Sequence, residues 1–224
     1  MKVALHKIWV GCLTAFLAVA SGQGPQPEQV LLDRLQSPDP ATRRAAAESI
    51  ARLEPKNLGK LLAGLLKALR DTDPEVKYYA AVSLAGSGQG DETNATMLKE
   101  AAPVLLESLE DRDARVREAA VSAIAVIMPQ PPPEAISPLL RLLTNKDPEP
   151  RVRQAAVTTL ARIRPVRSNV VAALVTVLRQ DESPAIRRDT AAVLGELRVS
   201  DQGAVEALAQ ALTDRNTQIG RAHV

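Results

Sequence analysis

Apolar positions along the chain recur on two scales. On the longer one, an apolar stretch closes on Leu35, Leu69, Leu109, Leu143, Leu178 and Leu212, at spacings of 34, 40, 34, 35 and 34 residues. An acid follows each leucine within four residues: Asp39, Asp71, Asp111, Asp147, Asp181 and Asp214. A second phrase then begins, reading PATRRAAAESI, PEVKYYAAVSL, ARVREAAVSAI, PRVRQAAVTTL and PAIRRDTAAVL in turn. Self-similarity with a period of this size predicts one stacked array rather than separate domains.

On the shorter scale, Leu58, Leu61, Leu62, Leu65, Leu66 and Leu69 recur at three and four residues, which is one apolar face of a helix. The second phrase is rich in Ala, which favours helix and lets neighbouring helices approach closely. Val76, Ala80, Leu84 and their equivalents are predicted to point inward. Asp39-Pro40 and Asp73-Pro74 read as an N-cap followed by proline at the first helical position, where the missing N–H costs nothing, and Asp147-Pro148 resembles them. Each unit is thus predicted as helix, short acidic turn, helix. The whole is an all-α fold, an α-solenoid of stacked antiparallel helix pairs over 27–218, with five complete units and the start of a sixth. Two linkers deviate. Ala85 to Gly90, AGSGQG, lengthens one unit and reads as an inter-unit loop, since no Gly-Lys-Ser/Thr follows to make it a phosphate cradle. Pro129 to Pro133, PQPPP, is predicted stiff and extended, ending one helix and spacing the next.

Composition narrows the chemistry. Of 224 residues, 46% are hydrophobic and 2% aromatic, so the core must be built from Leu, Ala, Val and Ile. With 28 Lys+Arg against 26 Asp+Glu, no overall charge recruits nucleic acid, and no interleaved aromatics offer stacking platforms. Residues 1–20 carry Lys2 and Lys7 ahead of an apolar run from Ile8 to Ala20 that ends Ala18-Val19-Ala20. That is the pattern of a cleaved secretory signal, too short in its apolar run to span a bilayer comfortably. Export to the periplasm or the extracellular space is the predicted location, with a polar leader at 21–26 and no stable membrane insertion after cleavage. Cleavage would remove Cys12, Trp9, Phe16 and His6, leaving Tyr78 and Tyr79 as the aromatics and no cysteine for a disulfide or a thiolate.

Repetition makes a resemblance specific. The phrases Asp-x-Asp-Pro-Glu-Val-Lys at 71–77 and Asp-x-Asp-Ala-Arg-Val-Arg at 111–117 resemble HEAT repeats, in particular the short bacterial HEAT-like type. Pro103 and Pro138, each just before a Leu pair, resemble the proline of the first HEAT helix. The Trp-Leu-Gly-Tyr and Thr-Pro-Leu-His phrases of tetratricopeptide and ankyrin repeats are absent from the sequence. The resemblance implies a column of basic residues, here Arg43, Lys77, Arg117, Arg153 and Arg187, paired with turn carboxylates read as Asp39, Asp73, Asp113, Asp147 and Asp181. An acid there faces the positive end of a helix dipole, and an Arg beside it can bridge to the adjacent unit with a bidentate bond. This is a structural ladder, not paired catalytic carboxylates. HEAT-like hydroxylases use His-Glu metal motifs, and the sequence contains no His-Glu; HEAT-like subunits of bilin lyases are a second precedent, and no bilin site is identified.

The resemblance also implies a concave side lined by second helices. One column there is Arg44, Tyr78, Glu118, Gln154 and Arg188, and the next turn gives Glu48, Val82, Ser122, Thr158 and Ala192. This mixed face suits protein recognition, with Tyr78 as its candidate hot spot and Tyr79 packed between helices. Charge is uneven: residues 91–118 carry eight acids and four bases, and residues 141–189 ten bases and five acids. The last six residues, IGRAHV at 219–224, break the repeat, put Gly220 where a basic residue is expected, and coincide with one reading frame of a common sequencing adapter. The natural chain is therefore expected to continue past Gln218, and His223 to be no part of it. The open sixth unit, with Val205, Leu208 and Leu212, is expected to fray or self-associate. The predicted function is a non-enzymatic exported scaffold that binds a protein on its concave face, without cofactor, metal or nucleic acid. The alternatives are the N-terminal docking module of a longer exported enzyme, or an accessory subunit in cofactor attachment.

Overall fold

The computed structural model describes residues 27–53, 60–86, 93–128, 131, 133–144, 146–198 and 201–211, with 93–99 described in backbone alone. The signal segment 1–20, the leader 21–26, Leu58, residues 87–90, Pro129, Gln130, Pro132, Leu212 and the hexapeptide 219–224 lie outside the described residues. Eleven helices and no strand make up the described residues. They are α1 (Pro27–Leu35), α2 (Pro40–Ala51), α3 (Leu62–Ala68), α4 (Pro74–Gly86), α5 (Thr93–Ser108), α6 (Ala114–Ile127), α7 (Pro133–Thr144), α8 (Pro150–Leu160), α9 (Ser168–Gln180), α10 (Pro184–Glu196) and α11 (Gln202–Ala211).

Helices pack in consecutive pairs, α1 with α2 through α9 with α10, and α11 packs on α9 and α10 as the first helix of a sixth unit. Second helices also pack on one another, α2 on α4, α4 on α6, α6 on α8 and α8 on α10. From α1 to α10 they approach more closely than the first helices do. The sequence explains this. Three residues after each basic ladder position stands a small buried residue: Ala46, Ala80, Ala120, Ala156 or Thr190. Seven residues after it stands a large one, Ile50, Leu84, Ile124, Leu160 or Leu194, each at most 1% exposed. The small residue lets two second helices close up, and the large one fills the space behind them.

First helices supply the leucines. Leu61 and Leu65 are fully buried, Leu62 and Leu69 nearly so, while Leu66 is half-buried. A 3-10 turn at 60–61 leads into α3, and among the described residues of the apolar face α-helix runs from Leu62 to Ala68. A Cβ at Gly64 would lie 2.3 Å from Leu32 Cδ2, so the missing side chain is what lets α1 lean on α3. Pro103 and Pro138 fall inside α5 and α7. The proline-rich linker lies between the end of α6 at Ile127 and Pro133, which opens α7. No helix among the described residues is long and apolar enough to cross a membrane.

Helix starts differ from the sequence reading at one point. Asp39 caps α2 as predicted, accepting from Ala41 N–H at 3.3 Å and Thr42 N–H at 2.9 Å, with Pro40 at the first helical position. Asp73 accepts from Glu75 N–H and Val76 N–H, and Asp113 from Arg115 N–H. Asp147-Pro148 does not start α8. Its N-cap is Glu149, and Pro150 takes the first helical position, two residues later than expected.

Candidate functional site

Along one edge of the array, where each first helix turns into its second, runs a continuous ladder of ion pairs. Arg43 donates from Nε to Asp71 Oδ2 at 2.7 Å and from Nη2 to Asp71 Oδ1 at 3.0 Å. Arg117 grips Asp147 in the same two-pronged way at 2.6 and 2.8 Å, and Arg153 grips Asp181 at 2.7 and 2.8 Å. Lys77 pairs with Asp111. Every rung joins a second helix to the turn of the following unit. The remaining Nη1 of each arginine donates into its own turn: Arg43 to Ser37 O, Arg117 to Asp111 O, Arg153 to Asp147 O and Arg187 to Asp181 O.

This corrects the acids of the ladder. Asp39, Asp73 and Asp113 sit four residues before the basic residue and cap helices. The rung acids sit six before it and are Asp71, Asp111, Asp147 and Asp181. Each rung acid also accepts the backbone N–H two residues on, as Asp181 does from Ser183 at 2.9 Å and Asp71 from Asp73 at 2.8 Å. That bond orients the carboxylate toward its basic partner. Counting back six from Lys77, Arg117, Arg153 and Arg187 would have found all four in the sequence.

Among the described residues the four rung carboxylates are each engaged by a base of the preceding unit. Burial pushes the Asp181 carboxyl up, but hydrogen bonds from Arg153 and from Ser183 N–H, with the charges of Arg153 and Lys146, outweigh it and hold the group below the ordinary carboxylate range. Asp71 follows the same balance, with Arg43 and Asp73 N–H as donors. Lowered carboxyl values mean stability that is complete above about pH 4, the unfolded value, and is lost as pH falls through the folded values. Urea midpoints are therefore expected to hold steady from neutrality down to about pH 4 and to fall below it. A midpoint rising on acidification would contradict this ladder.

Lys77 is the rung without a guanidinium. Its ammonium reaches Asp111, but no Nη1 is present to donate to Asp71 O or Thr72 O as the arginines do in their own turns. Lys77→Arg is expected to raise stability by about 1 kcal/mol, the net value of one typical added hydrogen bond. A thermal melt that moves down would mean that the turn has no room for the planar group.

Outside the ladder on the same edge, a second set of exposed pairs links successive units. Lys67 donates to Gln36 Oε1 at 3.3 Å, Arg70 pairs with Glu107 at 3.1 Å, Arg141 with Glu110, and Lys146 with Glu182 at 3.3 Å. Between the two sets lies a groove of about 570 Å³ lined by Leu109, Glu110, Arg117, Pro138, Arg141 and Asp147, among others. An equivalent of about 350 Å³ lies at Leu35, Arg43, Gly64, Lys67 and Asp71. Among the described residues no cluster of His, Cys, Asp and Glu is arranged to hold a metal ion.

The row of second helices carries the other expected residues. Arg44, Tyr78, Glu118, Gln154 and Arg188 occupy one register, the position after the ladder base, on α2, α4, α6, α8 and α10. Several are tied across units. Arg44 Nε donates to Asp73 Oδ2 at 2.7 Å, and Gln154 Nε2 donates to Asp189 Oδ2 at 2.6 Å. Arg188 holds the other oxygen of Asp189, from Nε at 3.0 Å. Glu118 is half-buried, and Glu48 pairs with Arg52 one turn on. Tyr78 is half-buried beside Tyr79, ring centroids 5.2 Å apart and planes tilted by 59°. The Arg115 guanidinium sits 5.9 Å from the Tyr78 ring centre, a cation–π contact from the next unit.

Three residues of this row escaped the sequence reading. Glu75 lies 3.8 Å from both Arg44 and Arg115, bridging three units, and Asp189 joins α8 to α10. Glu75 and Arg115 share a position two residues before their ladder bases, which is the signal that would have found them.

A family model described as HEAT repeats matches residues 27–125, 62–149 and 102–170. No curated protein matches the chain. Among solved structures, the chain is similar to a designed armadillo repeat protein in complex with peptide (KR)4, at TM-score 0.66 and 24% identity over 88% of this chain and 96% of that one. An engineered protein is similar at TM-score 0.65 and 24% identity, over 88% and 95%. A computationally designed armadillo repeat protein for modular peptide recognition follows at 0.64 and 22%, over 87% and 95%. At these identities the likeness is one of fold.

Proposed function

The chain belongs to the HEAT-repeat family, and from that premise we propose that it is a non-enzymatic scaffold holding an extended segment of another protein along its row of second helices. The observation that carries this reading is the continuity of the row. Five second helices pack side by side, with Arg44, Tyr78, Glu118, Gln154 and Arg188 in one register across five units. From α1 to α10 second helices approach more closely than first helices, which supports reading their row as the inner side of the stack. Structures of similar fold include a designed armadillo repeat protein in complex with a peptide, which supports the same use of a helix stack here.

Tyr78 anchors the face. It offers a large ring with few torsions, and Arg115 already holds that ring from above. The charges of the row are largely matched among themselves, as in Arg44 with Asp73 and Glu75. Recognition along it is then by shape and hydrogen bonding around Tyr78 rather than by net charge. The carboxylates and arginines of the ladder are engaged between units, which supports the non-enzymatic reading. On the strength of residues 1–20 alone, the chain is taken as exported; mass spectrometry of the processed protein is expected to find Ser21 first.

A photo-crosslinking residue at position 78 or 158 is expected to capture a partner that the same residue at position 67, on the outer edge, does not. Tyr78→Ala combined with Arg188→Glu is expected to weaken that contact by about thirtyfold, on the scale of an aromatic hot spot, with the unfolding transition kept. Equal capture from both faces, or an unchanged affinity in a quantified pull-down, discards the row as the binding face.

A further inference from the structure

We propose that the segment joining α8 to α9, at 161–167, is a second docking site, and that its occupant is an acidic, Asp- and Glu-rich segment of a partner protein. This segment lies off the row of second helices, at the edge of the array opposite the ladder.

Charge balance along the array sets this segment apart. From Pro150 to Gln180 the chain has six arginines and no acid. Five exposed or half-exposed arginines elsewhere have carboxylate partners: Arg44 with Asp73, Arg52 with Glu48, Arg70 with Glu107, Arg115 with Asp113, and Arg141 with Glu110. In this segment Arg153 is buried and bound to Asp181 in the ladder. Arg162, Arg164 and Arg167 are exposed, and among the described residues no carboxylate pairs with any of them.

Two of the three are held in place without being neutralised. Arg162 Nη1 donates to Ala125 O near the end of α6, in the preceding unit. Arg164 Nη1 donates to Ala161 O at 2.7 Å and to Ile163 O at 2.9 Å. Backbone carbonyls fix each guanidinium by one nitrogen and leave Nε and Nη2 as a fork for a carboxylate. The ordering entropy that a long side chain usually loses on binding is thereby partly spent in folding. Arg167 stands at the N-cap of α9, whose first turn has no acid. Three such groups within one short segment suit several carboxylates on one strand of chain rather than a single small anion.

Other polyanions fit less well. The aromatics of the described residues, Tyr78 and Tyr79, lie on α4, so no base-stacking platform adjoins the patch. A membrane surface would call for exposed apolar side chains, and Val166 here is half-buried against the core. The acids in the adjoining helix ends, Glu134 in α7 and Glu196 in α10, are exposed and pair with none of the three arginines.

The test uses the full chain and a fluorescein-labelled peptide alternating Glu and Gly, with its Gln counterpart as control, read by fluorescence anisotropy. Binding of the Glu peptide is expected, absent for the Gln peptide and weakening as salt rises. Arg164→Glu with Arg167→Glu is expected to weaken it at least about tenfold, whereas Arg44→Glu on the row of second helices leaves it unchanged. The neutral pair Arg164→Gln and Arg167→Gln, checked by thermal melting, serves if the reversed pair does not fold. Equal affinity for the Glu and Gln peptides, an unaltered affinity in both variant pairs, or displacement of the peptide by a duplex oligonucleotide or an anionic vesicle at lower concentration overturns the proposal. None of these outcomes bears on crosslinking at position 78.

Discussion

Arg153→Ala is expected to lower the unfolding free energy by about 3–5 kcal/mol, the cost of leaving one half of a buried ion pair behind. Its side chain is 8% exposed and that of Asp181 3%. Truncation strips both carboxylate oxygens of their guanidinium donors and leaves Asp147 O without the Nη1 donor of Arg153. Arg153→Lys should fall between, because a point charge cannot span both oxygens and the carbonyl. Replacing the pair together, Arg153→Met with Asp181→Leu, should cost less than Arg153→Ala alone, since no charge is then buried without a partner. Urea unfolding followed by circular dichroism reads all three. In an array stabilised through neighbouring units, Arg153→Ala should also broaden the transition, as the units on either side begin to unfold separately. Arg141→Ala, half-exposed in its pair with Glu110, is the reference and should cost less than about 1 kcal/mol. Equal costs at positions 153 and 141 would mean that the ladder does not couple units.

Ile124→Ala is expected to cost about 2–5 kcal/mol, the range for emptying a fully buried aliphatic site. Ile124 is wholly buried on α6, which packs against both α4 and α8. A cavity there loosens two inter-unit contacts at once, and helices held by main-chain bonds have little freedom to collapse into it. Ile124→Val, which removes one methylene, should cost about 0.5–1.5 kcal/mol. Val205→Ala on α11 is the control: Val205 is 53% exposed, and its loss should stay within about 0.5 kcal/mol. A loss at Val205 that matched the one at Ile124 would place the stabilising contacts somewhere other than the stack of second helices.

The architecture was legible because it is written several times. A single AAAESI or AAVSL phrase is an ordinary helix, but its return after each acidic turn leaves few alternatives to a stack of pairs. The basic column was legible for the same reason. The acids were harder, because the turns hold two carboxylates with separate duties. Asp73-Pro74 draws the eye to the cap, while Asp71, two residues earlier, carries the rung. Where the cap is Glu149 or Ser183 instead, the remaining aspartate was read correctly by default. Contacts across units were the least accessible. Repetition aligns Tyr78 with Glu118, yet the partner that meets Tyr78 is Arg115, because the stagger between adjacent helices is a property of packing and not of the period. Gly64 likewise carried no signal, since its purpose lies in a leucine from another helix.

The outer pairs beside the ladder bear on how such a chain arises by duplication. A copy of the second, third, fourth or fifth unit brings with it a basic residue and an aspartate six positions ahead of it, so it forms a rung with any such neighbour. The outer pairs are not so permissive. The third unit receives Arg70 through Glu107 but presents Glu110 to Arg141 of the fourth, so the sense of the charge reverses from one junction to the next. Two copies of the third unit in tandem would set Glu110 against a second Glu107. The inner bonds therefore let units accumulate, and the outer ones record the order in which they now stand.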